Sequence, residues 1–201
     1  MRPPNPHGPS PVAMVIHRPS SPSLRLTLQR TAGDRLSGPL GRRLDDRFHY
    51  LRLVLAGGKE PIEAVVVGPG GTWALTLRIE AGRYRKRNGH WYRLAASTDS
   101  WVPWDAGRIT FARLAGRRLE MYLERATLPS AVTACLVPPR GVEIEWDAGQ
   151  RPGIQVIRDA DALAAGIEAG GNLTKVQVDR IVALLDPRQP LPRLTRAARA
   201  S

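Results

Sequence analysis

The sequence is short of cysteine, of lysine and of long apolar runs, and these shortages exclude several classes of structure. Cys135 is the single cysteine among 201 residues, so an internal disulfide is excluded. Because Cys135 lies in the apolar run 131–137, we expect a buried structural thiol. No run of about 18 apolar residues exists, so no transmembrane helix is expected. The first 23 residues are rich in proline and lack the apolar segment of a signal peptide, so a cytoplasmic protein is expected.

Motifs of common catalytic and metal sites are also missing. The four histidines are scattered without metal-ligand spacing, and with one cysteine the sequence gives no zinc pattern. No G-x-S-x-G motif is present, so serine-hydrolase chemistry has no support. The glycine-rich stretch 68–71 lacks the G-K-[ST] ending of a phosphate-binding P-loop.

Positive charge, in contrast, is abundant and concentrated at the two ends. The formal net charge is +12, and eight of the arginines fall in residues 1–30 and 187–201, which contain no acid. Basic arms favour an anionic partner such as nucleic acid. All but three of the 30 basic residues are arginines, however, and such a bias also fits a genomic base-composition effect, so charge alone leaves the partner open.

Periodicity predicts one α/β domain between two tails. We expect a disordered proline-rich tail over residues 1–23, a domain over 24–186 and a basic disordered tail over 187–201. Residues 32–46 have helical spacing that Gly38-Pro39 interrupts. Alternation and apolar runs predict strands at 23–29, 48–55, 62–67, 72–79, 131–137, 142–146 and 154–157, and a hairpin over 82–92 that turns at Asn88-Gly89. Helices are predicted over 109–125, over 160–169 with Asp159 as its cap, and after a capping box formed by Thr174 and Gln177.

The most informative segment is the hairpin Ile62–Arg78, IEAVVVGPGGTWALTLR. It resembles the core hairpin of the nuclease-related domain (NERD) family, I-D-H-V-V-V-G-P-x-G-V-F-V-I-E-x-K. Gly82-Arg83-Tyr84 and Gly89-His90-Trp91 resemble the G-x-Y and G-x-W that follow in the family, and Gly33-Asp34 lies about where the family has Gly-Glu. The resemblance covers roughly residues 33–165. It implies a restriction-endonuclease-like fold, in which helices flank a mixed central sheet built from strands near 47–54, 62–67, 72–79 and 131–137.

The resemblance also implies a chemistry, from which this sequence departs. Family members hold Mg²⁺ with acidic side chains from adjacent strands, and the ion activates a water for attack on a phosphodiester. The family's aspartate falls on Glu63, its glutamate on Thr76, its lysine on Arg78 and, less securely, its Gly-Glu acid on Asp34. One metal ligand is thereby lost, and arginine cannot act as a base. We therefore expect a catalytically degenerate member of the family.

Two alternatives to the degenerate site remain open. If Thr76, Arg78 and Glu80 alternate on one strand, Glu80 shares their face and replaces the lost ligand from about 7 Å away. Glu63 and Glu80 would then hold Mg²⁺ in an active endonuclease with a rearranged site that includes Arg78 and Asp34. In the other alternative, Glu63, Arg78 and Glu80 are ordinary polar partners in a hairpin, because a buried acid near an arginine usually pairs with it.

The predicted hairpin over 82–92 combines cations with aromatic rings. Such a set favours phosphate contacts and base stacking without sequence specificity, and DNA is the expected polymer. In the alternative, the hairpin tip is solvated and its aromatic side chains pack on the sheet, while Trp101 and Trp104 pack or line a loop. A third hypothesis is a non-enzymatic domain whose tails find a protein partner. The nucleic-acid candidates are Arg83, Tyr84, Arg85, Lys86, Arg87 and Trp91, with Tyr92 beside them.

Overall fold

The computed structural model describes residues 13–18, 35–146 and 153–186, which form ten strands and four helices. Within these ranges no helix has the length and apolarity needed to cross a membrane. The strands are β1 (Val15–His17), β2 (His49–Val54), β3 (Ile62–Gly68), β4 (Gly71–Thr76), β5 (Gly82–Arg87), β6 (His90–Ala95), β7 (Ser100–Pro103), β8 (Val132–Leu136), β9 (Val142–Glu145) and β10 (Gln155–Val156). The helices are α1 (Ser37–Gly41), α2 (Gly107–Arg125), α3 (Ala160–Ala169) and α4 (Lys175–Leu185).

A six-stranded mixed sheet forms the centre of the molecule, in the order β1-β2-β3-β4-β8-β10. The three middle strands β2, β3 and β4 are antiparallel, and the remaining pairs are parallel. Every residue of β3 is buried, because α1 and α3 cover one face of the sheet while α2 and α4 cover the other. The expected α/β class with helices flanking a mixed sheet is confirmed.

A second sheet of four strands, in the order β7-β6-β5-β9, was not predicted as a separate layer. Its hairpin β5–β6 turns at Asn88 and Gly89, whose φ angles of 51° and 81° are those of the predicted turn. Strand β7 lies where a loop was expected and places Trp101 opposite Leu94 of β6. Tyr84, Ile109 and Leu136 belong to one apolar cluster that joins this sheet to α2 and to the central sheet.

The largest differences from the sequence predictions concern β1 and the end of β4. Val15–His17, inside the segment predicted as a disordered tail, forms β1 and pairs in parallel with β2. Strand β4 ends at Thr76 rather than at Ile79. The predicted strand 23–29, Gly33-Asp34 and the basic end 187–201 lie outside the described residues.

The predicted caps of the last two helices are confirmed. Asp159 accepts a hydrogen bond from the Ala162 amide at 2.7 Å and so begins α3. Thr174 and Gln177 form a reciprocal capping box at the start of α4.

Candidate functional site

Glu63 is a buried carboxylate that hydrogen bonds to the chain just beyond β4. Its side chain is 4% exposed, and its Oε2 accepts from the amides of Leu77 at 2.5 Å and Arg78 at 2.9 Å. Its Oε1 accepts from Nε of Arg78 at 2.5 Å. These amides are available because the pairing of β4 with β3 stops after Leu75 and Ala64. The Glu63 carboxylate thus accepts the hydrogen bonds that a neighbouring strand would otherwise accept from Leu77 and Arg78.

Three arginines surround Glu63. Besides Arg78, the Nη1 atom of Arg108 lies 3.9 Å from Oε1 of Glu63. Arg35 donates from Nη2 to the carbonyl oxygens of Leu77 and Val137. Burial lowers the pKa of Arg35, and the nearby Glu63 carboxylate opposes that shift. A divalent cation at Glu63 would therefore meet fixed positive charges at short range.

The position of the second family ligand carries no negative charge. Thr76 is buried, and its hydroxyl has no hydrogen-bond partner among the described residues. Across residues 13–18, 35–146 and 153–186, no group of three or more histidine, cysteine, aspartate or glutamate side chains is arranged to hold a metal ion. The donors around Glu63 fit an internal ion pair better than a magnesium ligand.

Glu80, the candidate replacement ligand, belongs to a different ion pair. Because β4 ends at Thr76, the regular alternation that would put Thr76, Arg78 and Glu80 on one face does not hold. The Glu80 carboxylate is mostly exposed and lies 2.6 Å from Nη1 of Arg93 on β6. The structure thus brings Glu63 together with Arg78 and leaves Glu80 with Arg93, while Asp34 lies outside the described residues.

A cleft of about 870 Å³ opens between residues 77–80, β5 and the start of α2. Its charged lining consists of Arg78 and Arg108 against the carboxylates of Glu60, Glu80 and Asp105. Glu60 and Arg108 are also paired with each other at 3.2 Å. Since acids outnumber bases here, the cleft does not offer the electropositive lining that a nucleic-acid backbone requires.

The nucleic-acid candidates of the hairpin are divided between the two faces of the second sheet. Tyr84 points inward, is 1% exposed, packs on Trp104 with ring centroids 4.5 Å apart and donates to the Glu80 carbonyl. Burial raises the pKa of Tyr84. Trp91 packs edge-on against Trp104 and Trp146. Tyr84 is therefore a core residue that no base can reach, and Trp91 is held within an aromatic cluster.

Arg83, Arg85 and Arg87 alternate with these inner residues along β5 and lie on the opposite side of the second sheet. The Arg85 guanidinium lies 4.1 Å from the Trp101 ring centroid and 5.7 Å from that of Tyr92. Arg83 is 3.0 Å from Glu143, which lies opposite it on β9, and 3.9 Å from Glu145, which lies opposite Arg85. Among the described residues, Arg85 and Arg87 have no ion pair. We call Arg85, Arg87, Tyr92 and Trp101 the outer face.

From the sequence, Trp101 was expected to pack or to line a loop, and not to lie on the outer face. The position of Trp101 depends on the pairing of β7 with β6. Strand β6 lies between β7 and β5, and the Arg85 side chain reaches across it to the Trp101 ring. The strand Ser100–Pro103 has only four residues and ends in proline, so its sequence gives little indication of a strand.

A second buried polar cluster joins β1, β2 and the end of α4. His17 Nδ1 lies 3.3 Å from Oδ2 of Asp186, and His17 Nε2 lies 3.0 Å from Nδ1 of His49. His17 and Asp186 are both buried. Burial, and secondly His17, lowers the pKa of His49, while Asp179 and Asp46 oppose the shift. The spacing of these residues in the sequence gave no sign of this cluster.

Comparison with known proteins found no matching family model and no similar curated protein or solved structure. Membership of the NERD family and the restriction-endonuclease-like fold therefore stay predictions that rest on the hairpin Ile62–Arg78. The α/β architecture and the contacts of Glu63 stand independently of that resemblance.

Proposed function

We propose that this protein is a catalytically degenerate nuclease-related domain that binds nucleic acid at the outer face. The observation that carries the binding proposal is the position of Arg85, whose guanidinium lies over the Trp101 ring and near the Tyr92 ring on the face of the second sheet away from the core. Arg87 on the same strand adds a second cation with no acidic partner among the described residues.

Cations and aromatic rings on one surface suit a single strand of nucleic acid. Guanidinium groups contact phosphates, and rings beside them stack with unpaired bases, whichever base is present. Arg83 contributes less because Glu143 and Glu145 compensate its charge. We therefore expect contact without sequence specificity, in which Arg85 and Arg87 act together with the basic ends of the chain. DNA is the expected polymer.

The contacts of Glu63 support the absence of cleavage. A magnesium ligand must direct a free lone pair at the ion, whereas Oε2 of Glu63 already accepts two hydrogen bonds, and Oε1 accepts one from Arg78 with the Arg108 guanidinium 3.9 Å away. The family's second acidic ligand falls on Thr76, which is not a carboxylate. The protein would then bind a strand without activating a water against it.

Binding is tested by fluorescence anisotropy with a labelled single-stranded oligonucleotide at low salt. Arg85→Ala removes both the cation and its contact with the rings, so we expect about a fivefold or greater loss of affinity. Arg180→Ala is the matched control, since Arg180 lies on α4, which packs on the central sheet. Equal losses in the two variants would contradict the outer face as the binding surface. No binding by the wild type would favour the protein-interaction hypothesis instead.

Cleavage is tested by nicking of supercoiled plasmid in Mg²⁺ or Mn²⁺, with the wild type and Glu63→Gln purified identically. We expect no nicking by either protein. Cutting by the wild type alone would establish the active endonuclease with a rearranged site and overturn the degenerate one.

A further inference from the structure

The solvent side of α2 carries large apolar side chains beside an open groove. Leu114 is 56% exposed and Met121 is 39% exposed, and they lie two turns apart on one face of the helix. The groove between this face and the turn 56–60 has a volume of about 540 Å³, and Phe111 and Tyr122 complete its apolar floor. Two large apolar side chains exposed in one concave surface favour a binding site.

The described lining of the groove has a net positive charge. The groove is formed by residues of the ranges 56–60 and 111–125, which lie well inside the described stretch 35–146. Its only acid in this part of the chain, Glu60, already pairs with Arg108 at 3.2 Å towards the large cleft. The basic residues of the lining are Arg117, Arg118 and Arg125.

These three arginines are only weakly compensated. Arg117 lies 2.7 Å from Glu120 in an exposed pair along α2, and such pairs contribute little. Arg118 donates from Nη2 to the neutral carbonyl of Glu60 at 2.7 Å, and burial lowers its pKa although the Glu60 carboxylate opposes that shift. Arg125 forms no ion pair with a described residue. A carboxylate brought to the groove would therefore gain favourable contacts with all three.

The charge and the apolar floor together restrict what can occupy the groove. In a symmetric dimer the patch would face itself, and arginines would meet arginines. The ends 1–30 and 187–201 contain arginines and no acid, so they have the same sign as the groove. A nucleic-acid strand has the opposite charge but no aliphatic surface to cover Leu114 and Met121. The occupant must be both acidic and apolar.

We propose that this groove binds an amphipathic helix of an acidic protein partner, with apolar side chains on Leu114 and Met121 and carboxylates beside the three arginines. Helix-in-groove recognition uses apolar anchors three and four residues apart. The part of α2 that lines the groove is about 20 Å long, which a partner helix of about 15 residues would match. The groove shares no residue with the outer face, so this proposal goes beyond the proposed function.

The groove is tested with the full chain and a library of synthetic peptides of about 15 residues. Leucine is fixed at every third or fourth position, and Glu, Gln and Lys occupy the other positions in equal parts. Peptides retained by the immobilised wild type are identified by mass spectrometry. We expect enrichment of Glu, and a Kd below about 100 µM for a peptide synthesised from the retained set. Retention of neutral or lysine-rich peptides, or no retention, would overturn the proposal.

Variants separate the groove from a general attraction of acidic peptides to this basic chain. Leu114→Ser keeps the charge and should weaken the selected peptide by about tenfold or more. Val176→Ser, at a similarly exposed residue of α4, should leave its Kd unchanged. Arg125→Gln should weaken it more than Arg180→Gln, which removes the same charge from α4. Equal effects within either pair would refute the groove as the binding surface.

Other occupants are identified by two measurements with Leu114→Ser. Sedimentation of the wild type alone would reveal a dimer, and its dissociation by Leu114→Ser would assign the groove to a second copy and overturn the proposal. Weaker binding of single-stranded DNA by Leu114→Ser would assign it to nucleic acid, with the same consequence. We expect neither effect. We also expect Arg85→Ala to leave the Kd of the selected peptide unchanged, which separates this proposal from the proposed function.

Discussion

At the scale of single residues, Glu63 decides between a metal site and an ion pair. The sequence placed an acid at the family position and left both roles open, because the strand pattern does not show which donors surround a side chain. The structure supplies the two amides beyond β4, the Arg78 guanidinium and the nearby Arg108. With these donors around it, the buried Glu63 carboxylate has a structural role that does not require a metal ion.

Glu63→Gln should lower the free energy of unfolding by about 1–3 kcal/mol. The amide keeps the shape but loses the charge, and its NH₂ group faces donors where the carboxylate accepted. Urea denaturation measures the loss, with Glu124→Gln on the exposed side of α2 as the control. If Glu63→Gln unfolds at the same urea concentration as the wild type, the ion pair is not structural.

Magnesium should not stabilise the wild type. A ligand that binds only the folded state raises the Tm, so a magnesium site would show as a higher Tm in MgCl₂ than in NaCl of equal ionic strength. We expect the same Tm in both salts. A higher Tm in MgCl₂ that Glu63→Gln abolishes would show that Glu63 is a metal ligand after all.

His49 should make stability depend on pH. Because burial and His17 lower its pKa, the folded state favours the neutral ring, whereas the unfolded chain takes up a proton near the ordinary value of about 6.5. Its contribution is therefore complete above that value and is lost as pH falls through the lower folded pKa. Thermal melts between about pH 7.5 and 5 should show a falling Tm, and His49→Gln should flatten the curve. An identical slope in the variant would contradict this role.

At the scale of elements, the turn between β3 and β4 shows a packing reason for a motif that resembles a nuclease family. A Cβ on Gly70 would lie 1.5 Å from the carbonyl oxygen of Ile167, in the last turn of α3. A Cβ on Gly68 would overlap the Phe48 ring. Gly68 and Gly70 are thus required by close ring and backbone contacts, and Gly71 by its φ of 103°, whether or not the neighbouring site is catalytic.

Gly70→Ala should destabilise the fold by about 3 kcal/mol or more, because a helix carbonyl cannot move aside as a flexible side chain can. Gly41→Ala introduces the same methyl group at the end of α1, where nothing lies within 4 Å, and should be nearly neutral. Chemical denaturation of the two variants provides the comparison. Similar stabilities would mean that α3 shifts freely against the turn.

Elements with strong local patterns were predicted, and those that depend on distant partners were not. The antiparallel strands β2, β3 and β4 are rich in apolar residues and almost entirely buried, and the caps at Asp159 and Thr174 act within three residues of the cap. Strand β1 is three residues long and forms only by pairing with β2, more than 30 residues away. The second sheet likewise depends on the parallel pairing of β5 with β9, which no local pattern shows.

At the scale of the whole molecule, charge is distributed unequally between two surfaces. The large cleft has more acids than bases, whereas the outer face presents Arg85 and Arg87 beside aromatic rings, with Glu145 opposite Arg85 on β9. The position that the NERD resemblance assigns to a metal site, beside the cleft, is therefore not the surface best suited to a polyanion. The proposed binding at the outer face consequently does not depend on whether Glu63 holds a metal ion.

The most direct test of binding without cleavage is anisotropy of a labelled single strand in Mg²⁺, followed over time at increasing KCl. We expect binding at about 50 mM KCl that weakens steeply by about 200 mM, because each phosphate contact releases counterions. We also expect a signal that stays constant with time, because the strand remains whole. No binding at low salt, binding that survives about 0.5 M KCl, or a progressive fall in anisotropy as the strand is cut would show that the protein does not bind a strand without cleaving it.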